Sequence, residues 1–135
     1  MGAEIGQGAR PRFPRPYGAR GPRRTGMNTL EAAYAAHLEL LRRCGEVRAY
    51  VYEGVKIRLA GKTWYTPDFC VITNEHIELV ECKGHWEDDA RVKIKVAAEI
   101  WGEAFRFLAV KRERGQWTME EFNRRVDVQQ GHSDR

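Results

Sequence analysis

Polar and apolar positions follow two rhythms along this chain, and the changes of rhythm mark its elements. Leu30, Tyr34, His37, Leu38 and Leu41 recur at helical spacing, with helix-favouring Ala32, Ala33, Ala35 and Ala36 between them. They predict an amphipathic helix over about 28–44, stopped at Gly45. From Glu46 to Leu59 the period drops to two. Val51, Val55, Ile57 and Leu59 share one parity and Tyr50, Tyr52, Lys56 and Arg58 the other, so one long strand is expected, with Glu53 out of pattern. Ala60-Gly61-Lys62 reads as a tight turn. A second strand is expected from Thr63 to Ile72 and a third from Ile77 to Lys83, joined by the polar turn Thr73-Asn74-Glu75-His76.

Gly84 ends that third strand. Asp88 or Asp89 would cap a second helix, whose expected apolar stripe is Val92, Val96, Ala97, Ile100 and Trp101. Phe105, Phe107 and Ala109, with Leu108 and Val110 interleaved, predict a fourth strand. Thr118 is the candidate cap of a last short helix holding Met119, Phe122 and Val126. The order α-β-β-β-α-β-α belongs to the α/β class, with a mixed sheet flanked by helices.

The hairpin of the second and third strands carries the candidate chemistry. A turn centred on Asn74 and Glu75 sets Ile72 opposite Ile77, Cys70 opposite Leu79 and Asp68 opposite Glu81. Directly opposed side chains sit about 5 Å apart at Cβ. Lys83 follows Glu81 on the same face, opposite Thr66. Two carboxylates side by side on an otherwise apolar face are unfavourable unless a cation joins them. Hard oxygen donors suit Mg²⁺, and Mn²⁺ can substitute. Such a set, with a lysine to steady the anion, suits hydrolysis of a phosphodiester.

Composition narrows the setting. The 135 residues are 42% hydrophobic and 31% charged, enough for one domain with a core. No apolar run approaches a membrane span, so no membrane partner is expected, and the basic N-terminus lacks the apolar stretch of a secretory signal. Residues 1–27 hold six arginines, Arg23 and Arg24 among them, against Glu4 alone, and are broken by prolines. They are expected to form a disordered basic arm that attracts nucleic-acid backbone, unless Met27 is the true start. The expected domain spans 28–128, followed by a polar tail over 129–135. Cys44, Cys70 and Cys82 show no CxxC spacing, which points to a reducing, cytoplasmic protein without disulfides.

Pro67-Asp68, followed by Glu81-Cys82-Lys83, resembles the PD-(D/E)xK nuclease motif, and the order of elements resembles that superfamily's restriction-endonuclease-like αβββαβ core. Residues 28–111 are similar to a family of small phage proteins of this type. The likeness rests on Thr29-Leu30-Glu31-Ala32-Ala33-Tyr34-Ala35, Tyr65-Thr66-Pro67-Asp68-Phe69, Glu81-Cys82-Lys83-Gly84 and Trp86 to Lys95. The resemblance implies a Mg²⁺-dependent DNA endonuclease acting in a bacterial host cell. Asp68, Glu81 and the backbone carbonyl of Cys82 would ligate the metal. Lys83 would be the catalytic lysine, and Glu31 matches a further glutamate that many members carry. Cleavage of branched DNA or junctions, in recombination, repair or packaging, is one version of this activity, and a symmetric junction cut would need a homodimer.

Each residue also has a plainer use. Asp68 can be a turn aspartate after proline, Glu81 and Lys83 an incidental pair on a solvated face, and Glu31 the far half of a capping box with Asn28. Lys93, Lys95 and Arg91 are candidate phosphate contacts or a solvated helix face. His85 and Trp86 follow the motif strand and His37 lies on the first helix, all weaker candidates. A catalytically silent DNA-binding module and an RNA-processing nuclease are the alternative functions.

Overall fold

The computed structural model of the chain describes residues 26–84 and 88–123. The arm with Arg23 and Arg24, His85 and Trp86, Val126 and the 129–135 tail lie outside them. The described elements run α1 (Thr29–Arg43), β1 (Val47–Tyr52), β2 (Ile57–Ala60), β3 (Thr63–Tyr65), β4 (Phe69–Thr73), β5 (Ile77–Cys82), α2 (Asp88–Trp101), β6 (Arg106–Glu113) and β7 (Gln116–Glu121). Five strands form one mixed sheet in the order β1-β4-β5-β6-β7, and β2 and β3 form a separate two-stranded ribbon. Only β5 and β6 pair in parallel, which the α2 crossover allows. The molecule is thus α/β, with a mixed sheet between two helices.

Strand alternation supplies a core on each face of the sheet. Tyr50, Phe69, Val71, Val80, Cys82, Leu108 and Val110 meet Tyr34, Ala35 and Leu38 of α1. Leu79 and Phe107 point the other way and meet Ile94, Ala97 and Ala98 of α2 together with Ile57 and Tyr65 of the ribbon. The α1 start has a complete capping box: Asn28 Oδ1 accepts from Glu31 N at 2.8 Å, and Glu31 Oε1 accepts from Asn28 N at 3.2 Å.

Four expectations are corrected. The strand expected from Glu46 to Leu59 breaks at Glu53, whose φ is 48°, and at Gly54, where an added Cβ would lie 2.6 Å from Val51 Cγ1. The strand expected from Thr63 to Ile72 breaks at Thr66-Pro67-Asp68, between β3 and β4. Together these breaks lift the ribbon out of the sheet. The helix expected after Thr118 is instead β7. Arg114 and Gly115, with φ of 51° and 78°, form the two-residue turn that folds β7 antiparallel onto β6, Glu113 opposite Gln116. On α2 the expected Ala97 is buried and Trp101 packs against the core, but Ile94 and Ala98 complete the buried stripe, whereas the expected Val92, Val96 and Ile100 are exposed. The two small alanines let the helix sit close to the ribbon and sheet.

Among the described residues no helix is long and apolar enough to cross a membrane. All three cysteines are free thiols: Cys44 exposed, Cys70 half-buried, Cys82 buried.

Candidate active site

The β4–β5 hairpin has the register expected from its turn: Ile72 faces Ile77 and Cys70 faces Leu79. Thr73 holds the turn closed, its Oγ1 accepting from Glu75 N and His76 N. Asp68 sits just ahead of β4, in the bend after the buried Pro67. Its main-chain carbonyl accepts from Glu53 N at 2.8 Å, and its side-chain Oδ2 accepts from Cys82 N at 2.8 Å. The aspartate is therefore pinned to the end of β5 although it is not itself in a strand.

Glu81 lies beside it. Its Oε1 is 3.0 Å from Lys83 Nζ, and its Oε2 accepts from the Tyr65 hydroxyl at 2.9 Å. Lys83 is fixed through its backbone, its N–H donating to Val110 O at 2.9 Å. The Glu81 side chain is thus tied to β3, and the Lys83 backbone to β6.

Electrostatics mark this spot. Burial, then the Glu81 carboxylate, push Asp68 up to about 7, against the pull of the Cys82 N–H, with Glu31 adding to the push and Lys83 opposing it. Burial, then Asp68, Glu31 and Glu81, push the Cys82 thiol well above its ordinary value. Burial, then Glu81, do the same to the Tyr65 phenol. Glu31 itself is 7% exposed, the one charged side chain buried among the described residues. It comes from α1, across the sheet, and burial together with Glu31 raises the Tyr52 phenol. The capping box and the approach to Asp68 coexist in one residue.

The structure thus gathers Asp68, Glu81, Cys82, Lys83 and Glu31 at one end of β5. It gives Arg91 a different occupation: an ion pair with Glu120 and a position over the Phe122 ring. Lys93 and Lys95 are exposed on α2. His37 stacks against Tyr34 and Trp117, away from the acidic group. Tyr65 is the residue that the sequence reading passed over. Its signal was its parity: it pairs with Ile57 on the ribbon's inner side, so its hydroxyl had to find a partner inside.

A divalent cation can be tested against these donors. Every candidate ligand is a carboxylate or carbonyl oxygen, the set that Mg²⁺ or Mn²⁺ takes. A half-buried aspartate pushed up to about 7 by burial and then by a neighbouring glutamate is a charge arrangement that a cation would relieve. Against this, no group of three acidic, histidine or cysteine side chains among the described residues is arranged to hold an ion. Asp68 and Glu81 use oxygens on Cys82, Lys83 and Tyr65 instead. The donors fit in kind, and binding would require Glu81 to leave Lys83 or Tyr65.

No protein-family model, curated protein or solved structure matches the chain.

Proposed function

We propose that this chain is a metal-dependent nuclease of the PD-(D/E)xK kind, with the restriction-endonuclease-like core, hydrolysing DNA phosphodiester bonds. The observation that carries the reading is the Asp68 carboxylate, anchored on Cys82 N–H beside the Glu81–Lys83 pair. Asp68, Glu81 and the Cys82 carbonyl would hold Mg²⁺ or Mn²⁺, with Glu31 behind them. When bound, that ion would polarise a phosphoryl oxygen and acidify a water. The chain's own residues do the rest. Lys83 offers its ammonium to the charge that develops on the phosphate. The backbone N–H of Cys82 fixes the Asp68 rotamer, and Tyr65 orients Glu81.

A second reading, a silent DNA-binding module, has one observation in its favour: the two carboxylates are already satisfied by protein donors. The deciding experiment is cleavage of supercoiled plasmid and of branched DNA with Mg²⁺ or Mn²⁺, comparing wild type with Asp68→Ala and Lys83→Ala. Metal-dependent cutting that both variants lose supports the nuclease. A folded wild type that binds DNA and cuts neither substrate leaves the silent module. Cutting that survives Asp68→Ala sinks the assigned site.

A further inference from the structure

The β2–β3 ribbon stands apart from the sheet and borders the acidic site, because Tyr65 ends it and Thr66-Pro67 leads directly into Asp68. Its two faces differ. The inner face buries Ile57 and Tyr65 against α2. Trp101 Nε1 fastens the ribbon further by donating to Arg58 O at 2.9 Å. The outer face presents Lys56, Arg58 and Trp64. Arg58 and Trp64 are cross-strand partners, and Lys56 Nζ lies 5.4 Å from the centre of the Trp64 ring. Trp64 is 44% exposed, an unusual degree of exposure for an indole. From Gly54 to Pro67 the chain carries Lys56, Arg58 and Lys62 and no acidic residue.

A flat aromatic ring among cations, on a rigid support, matches the way single strands are bound: bases stack on the ring and phosphates meet the cations. A paired duplex hides its base faces and has no use for the ring. Trp64 is four residues from Asp68, at most about 14 Å of extended chain. We propose that the outer face of the β2–β3 ribbon binds single-stranded DNA, with an unpaired base on Trp64 and the backbone on Lys56, Arg58 and Lys62. The choice of DNA rests on the nuclease reading above, and the inference narrows its substrate to DNA with an unpaired strand, such as a fork, flap or junction arm.

The test is fluorescence anisotropy of the full chain with a labelled oligonucleotide of about 16 nucleotides, in EDTA so that nothing is cut. Wild type should bind the single strand more tightly than the matching duplex. Trp64→Ala should weaken single-strand binding about 5- to 150-fold, and Trp64→Phe should keep most of it. Lys56→Ala with Arg58→Ala should flatten the salt dependence by about 1.4 in log–log slope. Wild-type affinity in Trp64→Ala, equal affinity for strand and duplex, or preference for an RNA of the same sequence would each overturn the proposal. Loss of cleavage with this binding pattern intact counts against the nuclease reading alone. Intact cleavage with unchanged Trp64→Ala binding counts against the ribbon alone.

Discussion

Asp68→Asn should stabilise the metal-free protein above neutral pH. The carboxyl moves from 3.8 to about 7 because it is half-buried and faces Glu81. At about 1.4 kcal/mol per pH unit, that amounts to about 4 kcal/mol against the ionised form. Solvent reaches Asp68, and screening reduces the figure to about 2 kcal/mol. Asparagine keeps an acceptor for Cys82 N–H but loses the charge assistance of that bond, about 1 kcal/mol. The net gain is about 1 kcal/mol, or about 3–6 °C in Tm for a domain of this size. The sign follows from proton binding. The folded state holds the Asp68 proton more tightly than the unfolded chain does. The stability from this group is therefore whole below about pH 4 and is lost as the pH rises through about 7. Thermal melts in EDTA at several pH values between 4 and 8 measure this. The gap between variant and wild type should be widest at pH 8 and close near pH 4. Mg²⁺ should then raise the wild type and leave the variant unmoved, if the ion binds where proposed. Equal melting at pH 8 in EDTA, or a variant that keeps the wild-type pH slope, would refute the raising of the Asp68 carboxyl by burial and Glu81.

Glu31→Gln keeps an acceptor for Asn28 N–H, so its Tm should stay within a few degrees of wild type while cleavage falls at least about tenfold. Unchanged cleavage would reduce Glu31 to a helix cap. Glu31→Ala also loses the capping box and should cost a further 0.5–2 kcal/mol or so in denaturant melts. Phe107→Ala empties a fully buried position under α2 and should cost about 3–5 kcal/mol, read from urea unfolding; a loss below about 1 kcal/mol would contradict the two-core packing.

Local chemistry was legible at the β4–β5 turn and at the start of α1. The hairpin register follows from Asn74-Glu75, and the α1 start from Asn28 and Glu31. What escaped depends partly on contacts distant in sequence and partly on local turns at Glu53-Gly54 and Arg114-Gly115. Apolar alternation continues from Val51 through Leu59, across the break at Glu53, because the ribbon buries its inner face against α2 just as a sheet strand would. On α2 the expected Ala97 is buried and Trp101 packs against the core, but the pattern favoured Val92, Val96 and Ile100 over Ile94 and Ala98. The sheet and the ribbon together select the buried set. Thr118 has a cap's chemistry, but Arg114-Gly115 fixes the chain direction before it is reached. At the site, the nearness of Asp68 to Glu81 could be read from register, although the ladder itself ends at Phe69 and Val80. Tyr34 and Leu38 place Glu31 on the inward side of α1, and the resemblance adds its approach to the acidic residues.

The three thiols differ in a way that has a practical consequence. Thiolate is the form that reacts, and Cys82 is buried among carboxylates that suppress it. Burial suppresses Cys70 in the same way. Cys44 is exposed, at the C-terminal end of α1. A maleimide dye should therefore attach at Cys44 alone in the native protein, giving a single optical tag without mutagenesis. Delayed labelling of the other two would then time the opening of each core separately.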